Sequence, residues 1–219
     1  MKVKLIGCNS TRNEVEYLGY RNLAEYEFLD YSYHARPAVL HAKLQERIDC
    51  CQHYDLIILT FSQCSHSVIG LSSPRVPMLL PRTHDCIGLL LGSNERHMKL
   101  FRENSATYYC SQGWLDYGRD PHTEFLEYTE QYGREKALYL IETLYGRYKK
   151  AVLIITPGMK NINYYRQRIQ DIAAFFEWQT AEINGDAALL EALVAGVPGQ
   201  GTIFVEAGTP VTENMFKFL

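Results

Sequence analysis

Several chemistries are missing from this chain of 219 residues. It has no G-x-G-x-x-G stretch and no G-x4-G-K-[ST] stretch, which disfavours both a dinucleotide fingerprint and a phosphate-cradling P-loop. There is no C-x2-C pair, the local ligand spacing on which structural zinc sites usually rely. Basic residues are not in excess: 22 Lys and Arg stand against 25 Asp and Glu, and the formal net charge of -3 leaves no field of the kind nucleic-acid binding needs. No apolar run approaches the roughly twenty residues that cross a bilayer. With nucleic acid and membrane set aside, the expected partner is a small molecule, a metal or another protein.

What is present begins with cysteine. Six cysteines in a chain this long, with no charged-then-apolar leader after Met1, predict a reduced, cytoplasmic protein rather than a disulfide scaffold. Cys50 and Cys51 fall in a helical pattern and read as core or surface thiols. Cys110 closes a strand-like run and is assigned no role.

Strand-like runs at Val3 to Cys8, Tyr26 to Tyr31, Leu56 to Phe61, Met78 to Leu80, Thr107 to Cys110, Ala151 to Thr156, Trp178 to Ile183 and Thr202 to Glu206 alternate with helical patterns. That alternation predicts an α/β protein, mostly parallel sheets flanked by helices, in two Rossmann-like halves. The helix opening at Pro37 is the clearest, with Val39, Leu40, Leu44, Ile48 and Cys51 at helical spacing. A boundary is expected near Lys149-Lys150. It separates a cysteine-bearing half (1–150) from a smaller β-α-β-α-β half (151–219) packed on it.

Cys8, Cys64 and Cys86 each stand just past a strand-like run. In an open α/β sheet, side chains past the C-terminal ends of neighbouring strands converge on one crevice. Three such thiols can share a metal in an open site assembled by the fold, although buried cysteine is also an ordinary core residue. Arg82, His84, Asp85 and Cys86 add an anion clamp, an imidazole, a carboxylate and a thiol within one short segment. Thr83 is expected to cap a helix whose macrodipole lowers the Cys86 thiol pKa. His84 reads equally as a metal ligand, as a general acid or base, or as a capping residue beside Asp85; Arg82 reads as an anion clamp or a salt-bridge partner. His34, His66 and Glu14 are secondary candidates, and loops at Gly158 and Gly208 are expected to close the crevice.

At these residues the chain resembles the domain-of-unknown-function family DUF1638, found in methanogenic archaea and anaerobic bacteria. The resemblance rests on Leu5-Ile6-Gly7-Cys8 with Glu14, His34-x-x-Pro37, Gln63-Cys64 with Gly70-Leu71, Pro81-Arg82-Thr83-His84-Asp85-Cys86-Ile87 with Leu91-Gly92-Ser93, Thr107-Tyr108-Tyr109 with Gly113-Trp114, and Gly185-Asp186 with Leu189-Leu190. It departs at Phe61 to His66, where glycine-rich surroundings are usual, and at Ala207-Gly208. The resemblance implies a cysteine-centred site, and the setting of family members implies a link to corrinoid-dependent one-carbon metabolism. The expectation is therefore a metal-binding protein in which Cys8, Cys64 and Cys86 hold Zn²⁺ or an iron-sulfur cluster, with His84, Arg82 and Asp85 as catalytic candidates. The competing expectation is a metal-free α/β protein that binds a corrinoid or a partner enzyme and keeps its cysteines in the core.

Overall fold

The computed structural model describes residues 1–20 and 24–217. In chain order the elements are β1 (Val3–Cys8), α1 (Arg12–Leu18), β2 (Ala24–Leu29), α2 (Pro37–Cys50), β3 (Leu56–Leu59), β4 (Met78–Pro81), α3 (Cys86–Leu90), α4 (Asn94–Glu103), β5 (Thr107–Cys110) and α5 (Gln112–Tyr117). They continue with α6 (Pro121–Tyr132), α7 (Arg134–Tyr145), β6 (Lys150–Ile155), α8 (Ile162–Phe176), β7 (Gln179–Asn184), α9 (Ala188–Val194) and β8 (Thr202–Val205).

The α/β alternation read from the sequence is present and builds two sheets. The first has the order β2-β1-β3-β4-β8, parallel throughout except for β8, which runs antiparallel to β4. The second is β5-β6-β7, all parallel. The sheets therefore do not divide at residue 150 as expected. The second sheet takes its edge strand, β5, from before that point, and the last strand returns to the first sheet instead of completing a β-α-β-α-β unit. The burial pattern of β8 explains the return: Ile203 and Val205 face the core while Phe204 is 42% exposed, the one-sided covering that an antiparallel edge strand tolerates.

The central strands β3 and β4 are buried at every position, as a sheet covered on both faces requires. On one face, Leu40, Leu44 and Ile48 of α2 recur at i, i+4 and i+8 and pack on Ile57, Leu59 and Leu80. On the other, Leu189, Leu190, Leu193 and Val194 of α9 pack on Leu5, Ile58 and Leu79. The second sheet buries Ala151 and Leu153 against Tyr165, Ile169 and Ile172 of α8.

The two sheets meet through α3. Leu90 and Leu91 pack on Ile154 of β6, with Ile87, Tyr109 and Ile183 beside them. Each such buried aliphatic side chain contributes about 1.5–3 kcal/mol relative to leaving it in water. Polar contacts extend the junction. The Leu90 carbonyl accepts from the Asp186 N–H at 3.0 Å, and the Arg96 guanidinium donates to the Asn184 carbonyl at 2.7 Å. Because α3 opens with Cys86, this packing carries a candidate site residue to the junction.

Candidate functional site: a thiol-lined crevice between the sheets

Cys8 is the last residue of β1, Cys64 begins a three-ten turn after β3, and Cys86 is the first residue of α3 after β4. Strands β1, β3 and β4 are adjacent and parallel, so their C-terminal ends form one rim. Hydrogen bonds fix the loops on that rim. The Cys64 N–H donates to the His84 carbonyl at 3.1 Å and the Gln63 N–H to the Thr83 carbonyl at 3.2 Å, while the Ser62 and Thr83 hydroxyls lie 2.6 Å apart. Cys8 is held through its own N–H, which donates to the Thr60 hydroxyl at 3.1 Å.

Two of the turn's three residues sit in the left-handed backbone region, Cys64 at φ 39° and His66 at φ 65°. A non-glycine residue held there costs on the order of 1–3 kcal/mol and persists only where surrounding structure over-determines it. This is the same stretch in which glycine-rich surroundings were expected.

A crevice of about 310 Å³ opens beside the rim. The first sheet's side contributes His34, Cys64, His84, Asp85, Cys86 and Ile87; the second contributes Trp114, Tyr148 and the whole run Thr107 to Ser111. Five consecutive strand residues can line one space only along the strand's edge, since successive side chains point to opposite faces. No lysine or arginine is among the lining residues.

The thiols influence one another. Burial pushes Cys86 up well above the ordinary thiol value, and the charges of Asp85, Cys64 and Cys8 add to this, opposed by the Ser10 hydroxyl facing it. Burial, then Cys8 and Asp85, raises Cys64. Burial raises Cys8, opposed by the Ser10 N–H, which donates to its Sγ at 3.4 Å. Cys8 Sγ also lies 3.1 Å from Nε2 of His34, whose ring stacks on Tyr31 with centroids 4.9 Å apart. Among the described residues no three His, Cys, Asp or Glu side chains stand in a metal-holding arrangement, so sharing an ion would require the thiols to turn toward one another.

Several expectations are corrected here. The cap of α3 is Asp85, whose Oδ1 accepts from the N–H groups of Ile87 and Gly88 at 3.0 and 3.2 Å; Thr83 is fully buried instead. The Cys86 thiol is raised, not lowered, because α3 has five residues and little dipole to oppose burial beside a carboxylate. Arg82 is absent from the crevice lining: its guanidinium donates to the Lys217 carbonyl, on the far side of β4's end. His66 pairs at the surface with Glu213 at 3.3 Å. Glu14 is buried under the junction, where the Thr156 hydroxyl donates to its Oε1 at 2.8 Å, and its other oxygen has no partner among the described residues. Neither Gly158 nor Gly208 lines the crevice.

His84 and Asp85 do line it. Burial alone would raise Asp85, but the His84 hydrogen bond, the charge of His97 and the Gly88 N–H outweigh it and hold the carboxyl below its usual range. The hydrogen bond from Asp85 raises His84, 3.5 Å away and 64% exposed at the mouth. Cys110, Trp114 and Tyr148 were missed. Cys110 carried the same signal as the other three thiols, since it ends a strand, but its strand was placed in the other sheet only by pairing with β6.

No curated protein and no solved structure matches the chain. The family model described as "protein of unknown function (DUF1638)" matches residues 28–194, a span that holds β3, β4, β5 and β6 and the Cys64, Cys86 and Trp114 positions. Cys8 lies before it. With most of its length matched, the chain belongs to the DUF1638 family.

Proposed function

We propose that Cys8, Cys64 and Cys86 bind Zn²⁺ or an iron-sulfur cluster with one position open toward the crevice, in an enzyme or accessory factor linked to corrinoid-dependent one-carbon metabolism. The observation that carries this reading is the arrival of three thiols on one rim from three adjacent parallel strands. The donor set is soft, which suits zinc and iron-sulfur clusters over hard cations. Three crowded thiols raise one another's pKa in the absence of a cation; a bound cation reverses that sign and stabilises all three as thiolates. The left-handed backbone at Cys64 is the kind of local strain found where a side chain's aim is functional.

When bound, such a centre supplies Lewis-acid activation of a donor atom, or in a cluster an open iron site. The chain's own residues then shape what reaches it. Asp85 and His84 present a carboxylate and an imidazole at the mouth, and the aromatic wall excludes water. A space of about 310 Å³ is at the lower limit for small-molecule sites and too small to enclose a corrinoid macrocycle, so a corrinoid link runs through a partner meeting the mouth. Free thiols of this kind persist in the reducing cytoplasm.

A second reading, a metal-free accessory protein, is favoured by one observation: Cys8 is 3% exposed and packs within the aliphatic core. Metal analysis of protein purified without oxygen separates the two. The thiolate reading expects one zinc or one cluster per chain, lost in Cys8→Ala, Cys64→Ala and Cys86→Ala; a folded, metal-free wild type supports the accessory reading. A brown preparation assigns iron and a colourless one zinc.

A further inference from the structure

His34 is the non-thiol group nearest to the proposed centre, with Nε2 3.1 Å from Cys8 Sγ, and its ring lines the crevice. A histidine committed permanently to a metal ordinarily donates its other ring N–H to a carboxylate or carbonyl, which locks its orientation. His34 lacks that lock: among the described residues no acceptor holds Nδ1, and the ring is kept in place by its stack on Tyr31 in the three-ten turn before α2. A tetrahedral ion bound at usual zinc distances would hold sulfur and nitrogen about 3.5 Å apart, so accommodating one between Cys8 and His34 needs only a small displacement.

We infer that His34 is an exchangeable fourth ligand, and that a small uncharged thiol entering the crevice replaces it. This inference rests on the thiolate reading above. In the exchange the metal–Nε2 bond breaks, the metal–sulfur bond forms, the thiol proton leaves to solvent, and no electrons change hands. A soft thiolate-rich centre selects a soft fourth donor. The crevice selects the rest of the molecule: its walls are the Trp114 and Tyr148 rings and the aliphatic Ile87, and no lysine or arginine lines it to hold a phosphate or carboxylate. Asp85 repels an anionic thiol further. The space suits a body of benzyl size.

The test uses the whole chain, purified without oxygen and loaded with Co²⁺, whose visible bands report donor number and type. Wild-type protein is expected to show a four-coordinate spectrum that changes in His34→Ala with cobalt retained. Benzyl mercaptan should add sulfur-to-cobalt charge-transfer intensity in both. It should bind His34→Ala about tenfold more tightly, because no internal ligand must leave first. The anionic 3-mercaptopropionate should bind less tightly than benzyl mercaptan. His34→Cys should keep the metal with a fixed fourth sulfur and refuse the added thiol, which guards against a His34→Ala variant that fails to fold. Identical spectra for wild type and His34→Ala, or equal thiol affinity in both, overturn the inference while leaving the three-thiolate centre standing. A wild type that binds no cobalt or zinc fails the thiolate reading itself.

Discussion

Gly113 approaches the turn after Cys8 so closely that a Cβ on it would lie 2.2 Å from the Ser10 carbonyl oxygen. Only a residue without a side chain lets α5, and with it the β5 edge, dock on the segment that aims the Cys8 and Cys86 thiols. Gly113→Ala must push that backbone apart. Overpacking of this kind costs about 1–3 kcal/mol. A lowered urea midpoint together with reduced metal occupancy is expected; an unchanged midpoint would contradict the close docking.

Asp85→Ala removes the two N–H contacts that cap α3 and the carboxylate facing His84 and His97. Loss of such a cap costs roughly 0.5–2 kcal/mol. Because the folded-state pKa of Asp85 is lowered, its contribution is fully present above its unfolded value and is lost as pH falls through the folded one. Urea titrations should therefore show wild type and Asp85→Asn diverging in pH dependence only on the acid side. Parallel curves down to the acid limit would argue against a lowered Asp85.

Glu14 carries the opposite sign. Burial, partly offset by the Thr156 hydroxyl, raises its pKa, so its protonated form is favoured in the folded chain. Its contribution is fully present below the unfolded carboxyl pKa and is lost as pH rises through the folded value. Glu14→Gln is neutral throughout and should flatten that part of the stability profile, with the gain over wild type growing as pH rises. A variant less stable than wild type by the same amount at every pH would show that Glu14 does not titrate in this way.

Arg82 is anchored to the Lys217 carbonyl rather than to the crevice. Arg82→Lys is thus expected to leave metal content and crevice binding unchanged and to loosen the C-terminal segment, read as faster amide exchange near Phe216. Weakened binding in the crevice would return Arg82 to the site.

Much of this site was legible because its cause is local. A cysteine after each of three apolar runs places three thiols at strand ends, and parallel neighbours then make those ends one rim. Asp85 was also in view, but its role as the cap depends on where α3 starts. Thr83 was the more apparent cap until its hydroxyl was found turned inward to Ser62. What the sequence hid was pairing at long range. Nothing in Thr107 to Cys110 says that it pairs with β6, and nothing in Thr202 to Val205 says that it returns to β4, because register between distant strands is set by the assembled core. The same blindness concealed the aromatic wall, since Trp114 and Tyr148 meet the thiols only after the second sheet docks on α3.

X-ray absorption at the metal edge of anaerobically purified protein tests the central claim most directly. A centre built by Cys8, Cys64 and Cys86 predicts three sulfur scatterers at about 2.3 Å from a zinc ion, or the sulfur and iron shells of a cluster, falling by one thiolate in any single Cys→Ala variant that retains metal. A first shell of nitrogen and oxygen alone, or a sulfur count that none of the three variants alters, would contradict it.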